Sequence, residues 1–515
     1  MKAIIIKLMC AVLLTGAIPL AAQSPVYFSK NYCPHTFVSL STNVLTTDSG
    51  YFVFGSYNDT LLGGQQRLCV LVLDTLGTLQ KEVFPSTNYL TQYYPSAEGA
   101  VTQTLDSGYI WAGTLYDGVK AKGYLIKFDH NLNVLWEHNY ERNPDTIYSY
   151  LGLFSMTAST DGGFAMTGGI EEEPKNPHLV RTNILLIKTD SLGHVEWQKE
   201  YAYHRASYGY SVIQTSEKGF LIGGSGHTPG VDQSLRGIII KTDSLGNELW
   251  RRYISSNGYH DSYCVVKNSP DGNFIVGTSL GVDKPNKEYS FRVIRLLKYD
   301  PAGTLLWDKQ FELFRGFNNL MSMVVLDNGD IVSCGMIEGR FHPHNTARIS
   351  WIVKVSTHGD SLWMRFHDRF SCHYCYNQLY DIATTSDGGF VMTGVADSLH
   401  YIRQNIWVLK VDSLGCAVPG CHLVGLREVI MPPEEVLLYP NPATTYLTMR
   451  LPSNLIHEQK EVRVFNSAGH EVLRQPLSTG EPEPTLDIYH LPAGIYYLRV
   501  IHRDISTVLG RFIKN

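Results

Sequence analysis

The sequence predicts an all-β fold, a seven-bladed β-propeller followed by a small C-terminal β-sandwich. Three observations carry this. A pair of turn signals recurs seven times at a period near 56 residues, a segment before the first repeat resembles the strand that the last repeat lacks, and a different strand pattern begins after residue 425. Repetition at such a period is one supersecondary unit stacked on copies of itself.

The first signal is a D-x-G turn between apolar strands. It reads DSGYFVFG from Asp48, DSGYIWAG from Asp106, DGGFAMTG from Asp161, EKGFLIGG from Glu217, DGNFIVGT from Asp271, DNGDIVSCG from Asp327 and DGGFVMTG from Asp387. The second is a D-x-x-G turn beginning at Asp74, Asp129, Asp190, Asp243, Asp300, Ser356 and Asp412. Aspartate bonds backbone amides two residues on and glycine takes the positive φ of a tight hairpin, so each signal marks a hairpin and the aspartates read as turn caps. Seven residues beyond the second turn's first position stand Trp136, Trp197, Trp250, Trp307 and Trp363, with Lys81 in the first unit and Pro419 in the last.

Each unit therefore reads as four short strands, in the third unit 153–159, 163–168, 184–189 and 195–200, rich in β-branched and aromatic residues. Four-stranded units at this period are propeller blades. The last unit runs into CAVPGC after Asp412, with no fourth strand of its own. VYFSKNY at 26–32 resembles VEWQKEY at 195–201, so the N-terminal segment is expected to supply that strand.

Composition agrees: 44% apolar and 11% aromatic residues can bury a large core. Two lysines, the apolar run Leu8 to Leu20 and the small residues Ala21 and Ala22 read as a secretory signal peptide over residues 1–22. Without Lys2 and Lys7 the chain holds 41 basic against 48 acidic residues with no basic stripe, so nucleic acid is not an expected partner. No other stretch has the ~18 apolar residues of a membrane span, and a monomer is expected. Eight cysteines remain in an exported chain. Cys416 and Cys421 are the expected bridge, pinning the end of the repeat; the pairing of Cys33, Cys69, Cys264, Cys334, Cys372 and Cys375 stays open, and Cys372-x2-Cys375 reads as a loop disulfide or thiol pair rather than a metal site.

After a linker at 425–436, alternating strands and the turns Asn441-Pro442, Ser467-Ala468-Gly469 and Pro492-Ala493-Gly494 describe the β-sandwich. With YPNP at 439–442, VFNSAGHEV at 464–472, LPAGIYYLRV at 491–500 and the basic tail, residues 437–515 resemble the type A sorting domain of the type IX secretion system. Asn441, Pro442, Gly469, Gly494, Tyr496 and Lys514 match that family's pattern. The resemblance implies passage via the periplasm through the outer membrane, with the secretion machinery and a sortase-like peptidase as partners, and a product released or held at the cell surface. The propeller, residues 23–424, has weaker likenesses. D-x-x-G-x-x-x-W resembles the repeat of quinoprotein-like propellers, but without their metal-binding carboxylates, and Ser159 to Gly163 resembles the Asp-box turn of sialidase-like hydrolases, a structural turn in that family.

No HExxH, phosphate-binding loop or EF-hand spacing occurs, and no cofactor, metal site or catalytic residue is expected. Lys127, Lys188, Lys241, Lys298, Lys354 and Lys410 lie two positions before the second turn and are expected to be a solvated ring of strand ends, with a polyanion contact as the alternative. Two connections per unit are short hairpins and two vary, so the variable loops share one face. Tyr203, His204, Arg205, Tyr208, Tyr259, His260 and Tyr263 on that face are the candidate ligand-binding residues, since tyrosine offers apolar area with a polar tip. The expected function is a surface or secreted binding or structural module for a glycan or protein; the alternative is a glycoside hydrolase-like enzyme with two carboxylates at the axis.

Overall fold

Thr182–Thr189 is buried at every position and Phe164–Glu171 at all but the last, the pattern of strands covered on both sides. The computed structural model describes residues 26–32, 39–59, 65–85, 92–95, 100–142, 150–171, 181–201, 206–227, 235–254, 262–282, 291–311, 316–342, 345–370, 375–397, 404–418, 421, 437–451, 460–466, 471–502 and 505–515, and these contain strands and no helix. The expected signal peptide and linker lie outside the described residues.

The third unit is an antiparallel sheet of Leu151–Ala158, Phe164–Glu171, Thr182–Thr189 and Val195–Tyr201, in that order, and the fourth repeats it with Tyr208–Gln214, Phe220–His227, Leu235–Thr242 and Glu248–Ile254. The first unit is Ser39–Thr47, Gly50–Asp59, Gln65–Asp74 and Leu79–Val83. In the second, the leading strand is split into Gln92–Pro95 and Val101–Gln103 ahead of Tyr109–Tyr116, Ala121–Phe128 and Val134–Tyr140. The later units start at Ser262, Phe317 and Tyr376, and single parallel pairs, Arg292 with Phe317 and Arg348 with Tyr376, join them into one twelve-stranded sheet. Phe28–Tyr32 pairs antiparallel with Asn405–Val411, so the N-terminal segment is the fourth strand of the last unit.

Successive leading strands touch one another, and the last, Tyr376–Thr384, touches the first, Ser39–Thr47. Cores form between units: Ile184 and Leu186 of the third meet Val212, Ile222 and Ile238 of the fourth, and Val53 and Leu71 of the first meet Val391 and Val408 of the last.

The turns behave as capped hairpins. The Asp190 carboxylate accepts from the Leu192 and His194 amides at 2.9 Å each, and Gly193 takes φ +83°. Two details differ from the sequence reading. In the sixth unit the capping residue is Asn328, which accepts from Asp330 N at 3.0 Å, one position beyond Asp327. In the first unit Thr47 pairs directly with Gly50, leaving a two-residue loop.

The repeated lysines are not a solvated ring. Five are buried and Lys354 is half-buried, and each pairs with an acid of its own first turn: Lys127 with Asp106 at 2.6 Å, Lys188 with Asp161 at 2.8 Å, Lys241 with Glu217, Lys298 with Asp271 at 2.7 Å, Lys354 with Asp330 at 3.2 Å and Lys410 with Asp387 at 2.9 Å. The stem crosses the apolar sheet and the ammonium ends at the turn, which is why a charged residue recurs in a strand. Bound in this way, the ammonium groups are not available to a polyanion.

The tryptophans share one contact. A Cβ on Gly193 would meet Trp136 at 2.8 Å, on Gly246 Trp197 at 2.6 Å, on Gly303 Trp250 at 3.0 Å, on Gly359 Trp307 at 3.3 Å and on Gly415 Trp363 at 2.6 Å. Each ring thus lies on the turn glycine of the next unit. Phe28 does the same on Gly77, 2.6 Å away by the same measure, which carries the contact from the last unit to the first. The residue four positions further, Tyr140, Tyr201 or Tyr32, donates its hydroxyl to that glycine's carbonyl.

Residues 437–515 form two further sheets, Leu437–Tyr439, Tyr446–Arg450 and Thr485–Asp487 in one, Glu471–Leu477, Lys460–Asn466, Gly494–His502 and Ile505–Lys514 in the other. Leu447, Met449 and Leu486 from the first and Val462, Val464, Leu498 and Phe512 from the second share a core.

Candidate functional site

In six units the leading strand carries one residue too many for its partner. The register skips between Ser41 and Asn43, Leu153 and Ser155, Gly209 and Ser211, Ser262 and Val265, Leu320 and Ser322, and Leu379 and Asp381. Such bulges turn a side chain out of the alternation. In four of these units the extra residue, Phe154, Tyr210, Met321 or Tyr380, is half-buried between buried neighbours. The repeated glycine of the second strand makes room: a Cβ on Gly168 would lie 1.8 Å from the Gly152 carbonyl oxygen, and one on Gly394 1.9 Å from that of Gln378.

The backbone amides near the bulges are satisfied from the adjacent unit. Leu153 N donates to Thr114 Oγ1 at 3.1 Å, Val212 N to Ser155 Oγ at 3.3 Å, Val266 N to Ser211 Oγ at 3.1 Å and Leu320 N to Ser279 Oγ at 2.8 Å. Asp381, the one carboxylate within the leading strands among the described residues, accepts from Val44 N at 3.0 Å, Ser322 Oγ at 2.9 Å and Ile382 N at 2.9 Å, and so ties the last unit to the first and sixth.

At the variable-loop end of the third and fourth units the half-buried rings form a cluster. Phe154 and Tyr210 stack with centroids 5.7 Å apart and planes 22° from parallel. Tyr208 lies 6.0 Å from Phe154 and 6.5 Å from Tyr150, the latter ring at a right angle. The Tyr208 hydroxyl reaches Thr182 Oγ1 at 3.5 Å. Burial, with a smaller contribution from Tyr208, pushes the Tyr150 phenol well above its ordinary value, so it stays protonated and a donor. Of the sequence candidates, Tyr208 is in this cluster. Tyr263 falls within the bulge of the fifth unit, with its side chain outside the described residues, as are Tyr203, His204, Arg205, Tyr259 and His260. Phe154 and Tyr210 escape a sequence reading because a bulge is invisible to period-two alternation; the glycine in each turn motif is the available signal.

Among the described residues no group of three or more His, Cys, Asp or Glu side chains is placed to hold a metal. Cys416 and Cys421 form the expected disulfide, Cα atoms 5.5 Å apart. Cys375 is disulfide-bonded too, which removes it as a metal ligand; Cys372 lies outside the described residues.

In the C-terminal unit the motif residues meet. Asn441 donates to Arg511 O at 3.1 Å and accepts from Ile513 N at 2.9 Å, tying the YPNP turn to the final strand. Tyr496 stacks on Phe512 at 5.4 Å and donates to Pro492 O at 2.7 Å, which braces the turn before Gly494. Lys514 is buried and its ammonium reaches Asn515 O at 2.6 Å. Gly469 lies outside the described residues. The family model for the secretion system C-terminal sorting domain matches these same residues, 437–515.

Residues 437–515 are a type IX secretion sorting domain.

The sorting domain sends the chain to the outer cell surface or the extracellular space and makes the secretion machinery its partner. No helix of the described residues is long and apolar enough to cross a membrane. No curated protein sequence matches the chain. Among solved structures, a polysaccharide lyase, the PL25 ulvan lyase bound to -[GlcA(1-4)Rha3S]-, is 8% identical at a TM-score of 0.46, covering 76% of this chain and 96% of its own. The α-L-arabinofuranosidase Arb93A from Fusarium graminearum is 12% identical at 0.42, covering 62% and 96%. The extracellular domain of a one-component system from B. thetaiotaomicron is 11% identical at 0.37, covering 94% and 58%.

Proposed function

We propose that residues 23–424 close into a seven-bladed β-propeller, joined by a linker at 425–436 to a β-sandwich sorting domain, and that the exported propeller binds a glycan or protein with its variable-loop face. The cluster of Tyr150, Phe154, Tyr208 and Tyr210 carries this reading. Four adjacent rings, half-buried rather than sealed, lie at the end of the strands where the loops vary, and offer rigid apolar area with hydroxyl tips at low entropic cost. In the sequence, Tyr203 and Tyr259 stand in the segments between units and Tyr263 at the start of the fifth unit. The contact from Phe28 to Gly77 and the bond from Val44 N to Asp381 support closure of the ring.

A binding role is favoured over hydrolysis by the use of Asp381. A glycosidase needs two carboxylates about 5–9.5 Å apart, and the one acid on the leading strands among the described residues is buried with its oxygens taken by structural bonds. A glycan array and a surface pull-down with the full chain and with Tyr208→Ala/Tyr210→Ala decide the reading. Loss of the captured ligand in the variant is expected. Release of reducing sugar from a bound glycan would convert the assignment to a hydrolase, and capture unchanged by the double substitution would remove the site.

A further inference from the structure

At the opposite end of the strands, where the first turns lie, a cavity of about 620 Å³ opens across the last, first and second units. Asp48, Tyr51 and Phe52 line it from the first unit, Tyr109 and His130 from the second and Asp387 from the last. The Phe52 and Tyr109 rings stand nearly edge to face, centroids 5.0 Å apart. Burial first, and then the charge of Asp48, push the Tyr109 phenol upward, which places its ring within the field of that carboxylate.

The cavity sits where the repeat loses a charge. In six units an internal lysine brings its ammonium to the acid of the first turn. The same ammonium also meets a backbone carbonyl in three of them, Lys188 on Thr189 O at 2.8 Å, Lys241 on Pro301 O at 3.1 Å and Lys410 on Val411 O at 3.0 Å, a set of acceptors that suits three donors on one nitrogen. In the first unit the lysine position is Val72. Asp48 therefore faces the cavity with no ammonium from its own unit. Asp387, on the other wall, already has Lys410.

We propose that this cavity binds a primary alkylammonium group, the chemistry of a lysine side chain presented from outside the chain, with Asp48 as its counter-charge and the Phe52 and Tyr109 rings flanking the stem. A carboxylate fixes the charge and aromatic faces attract a cation, while the rings cover its methylenes. A sugar hydroxyl would leave the carboxylate uncompensated, and a guanidinium's planar fork would use it less well than an ammonium that the repeat already accommodates. The site is remote from the variable loops and does not rest on the reading given for them.

The test is calorimetric titration of the full chain with cadaverine and with Nα-acetyl-lysine methylamide, against Nε-acetylated lysine and glucosamine. Saturable binding of the first two is expected, weakened at least tenfold in Asp48→Asn and equally in Val72→Lys, where a new internal ammonium takes the place of the ligand's. Val72→Lys is also expected to melt no lower than the parent. Equal binding of Nε-acetylated lysine, preference for glucosamine, no binding at millimolar probe, or affinity unchanged in Asp48→Asn would each overturn the assignment. Asp48 is exposed, so that variant decides the matter if Val72→Lys fails to fold.

Discussion

Lys410 and Asp387 are the most enclosed of the six repeated pairs, with side chains 1% and 6% exposed. Burial pushes the lysine ammonium down, although Asp387 opposes this. For Asp387, burial acts upward but is outweighed by the Thr385 hydroxyl, the Val26 amide and Lys410, which hold the carboxyl at about 2. A carboxyl held below its unfolded value of ~3.9 contributes stability that is present above that value and lost as pH falls toward 2. Urea midpoints measured from pH 7 down to pH 2 should therefore drop steeply below pH 4. Lys410→Met should lower stability at neutral pH by about 3–5 kcal/mol, because it strands a buried carboxylate, and should flatten the acid limb. At the variable face, Tyr208→Ala with Tyr210→Ala should leave melting nearly unchanged and weaken ligand capture by about tenfold or more, roughly 1.4 kcal/mol. Lys241→Gln should leave capture unchanged, since that lysine is occupied by Glu217 at the other end of the sheet.

The element that recurs at the unit boundaries is a ring lying on the next unit's turn glycine. Gly246 has φ +76° and its missing Cβ is the space Trp197 fills, so Gly246→Ala both strains the backbone and displaces the ring. A loss of about 2 kcal/mol is expected from the left-handed geometry alone. Trp197→Ala should cost a similar amount by opening a cavity at the boundary. Denaturant titration of the two single variants and the double variant checks this: if ring and glycine form one contact, the double variant loses less than the two losses added. The boundary from the first unit to the second lacks both partners. Lys81 stands at the ring position, and Leu132 takes the turn at φ +66° in place of glycine. Their joint absence is what a paired contact predicts.

At the scale of the molecule, Phe28–Tyr32 covers the open edge of the last sheet and places Phe28 on Gly77. Deleting residues 26–32 should lower the melting temperature, broaden the transition and promote aggregation through the exposed strand edge; an unaltered melting curve would show that closure lies elsewhere. The sorting domain has its own core, drawn from its own two sheets. Its removal should leave the remaining chain folded and retained in the periplasm, scored by cell fractionation and by circular dichroism of the retained protein.

The turn signals, the ring position and the N-terminal strand are legible in the amino-acid sequence because they are local or periodic: an Asx cap, a positive-φ glycine and a four-strand period leave residue-level marks. So is the export address, since its turns and strand cores are written in order within 437–515. The lysines mislead, because a charged residue at a strand end looks the same whether its ammonium meets water or the acid of a turn more than twenty residues away. The bulges that turn out Phe154 and Tyr210, the use of Asp381 to tie three units and the gap left by Val72 are decided only by the tertiary structure. Each depends on what a neighbouring sheet places opposite the residue, and that pairing spans separations up to 337 residues, between Val44 and Asp381. A chain's own periodicity carries no record of such distances.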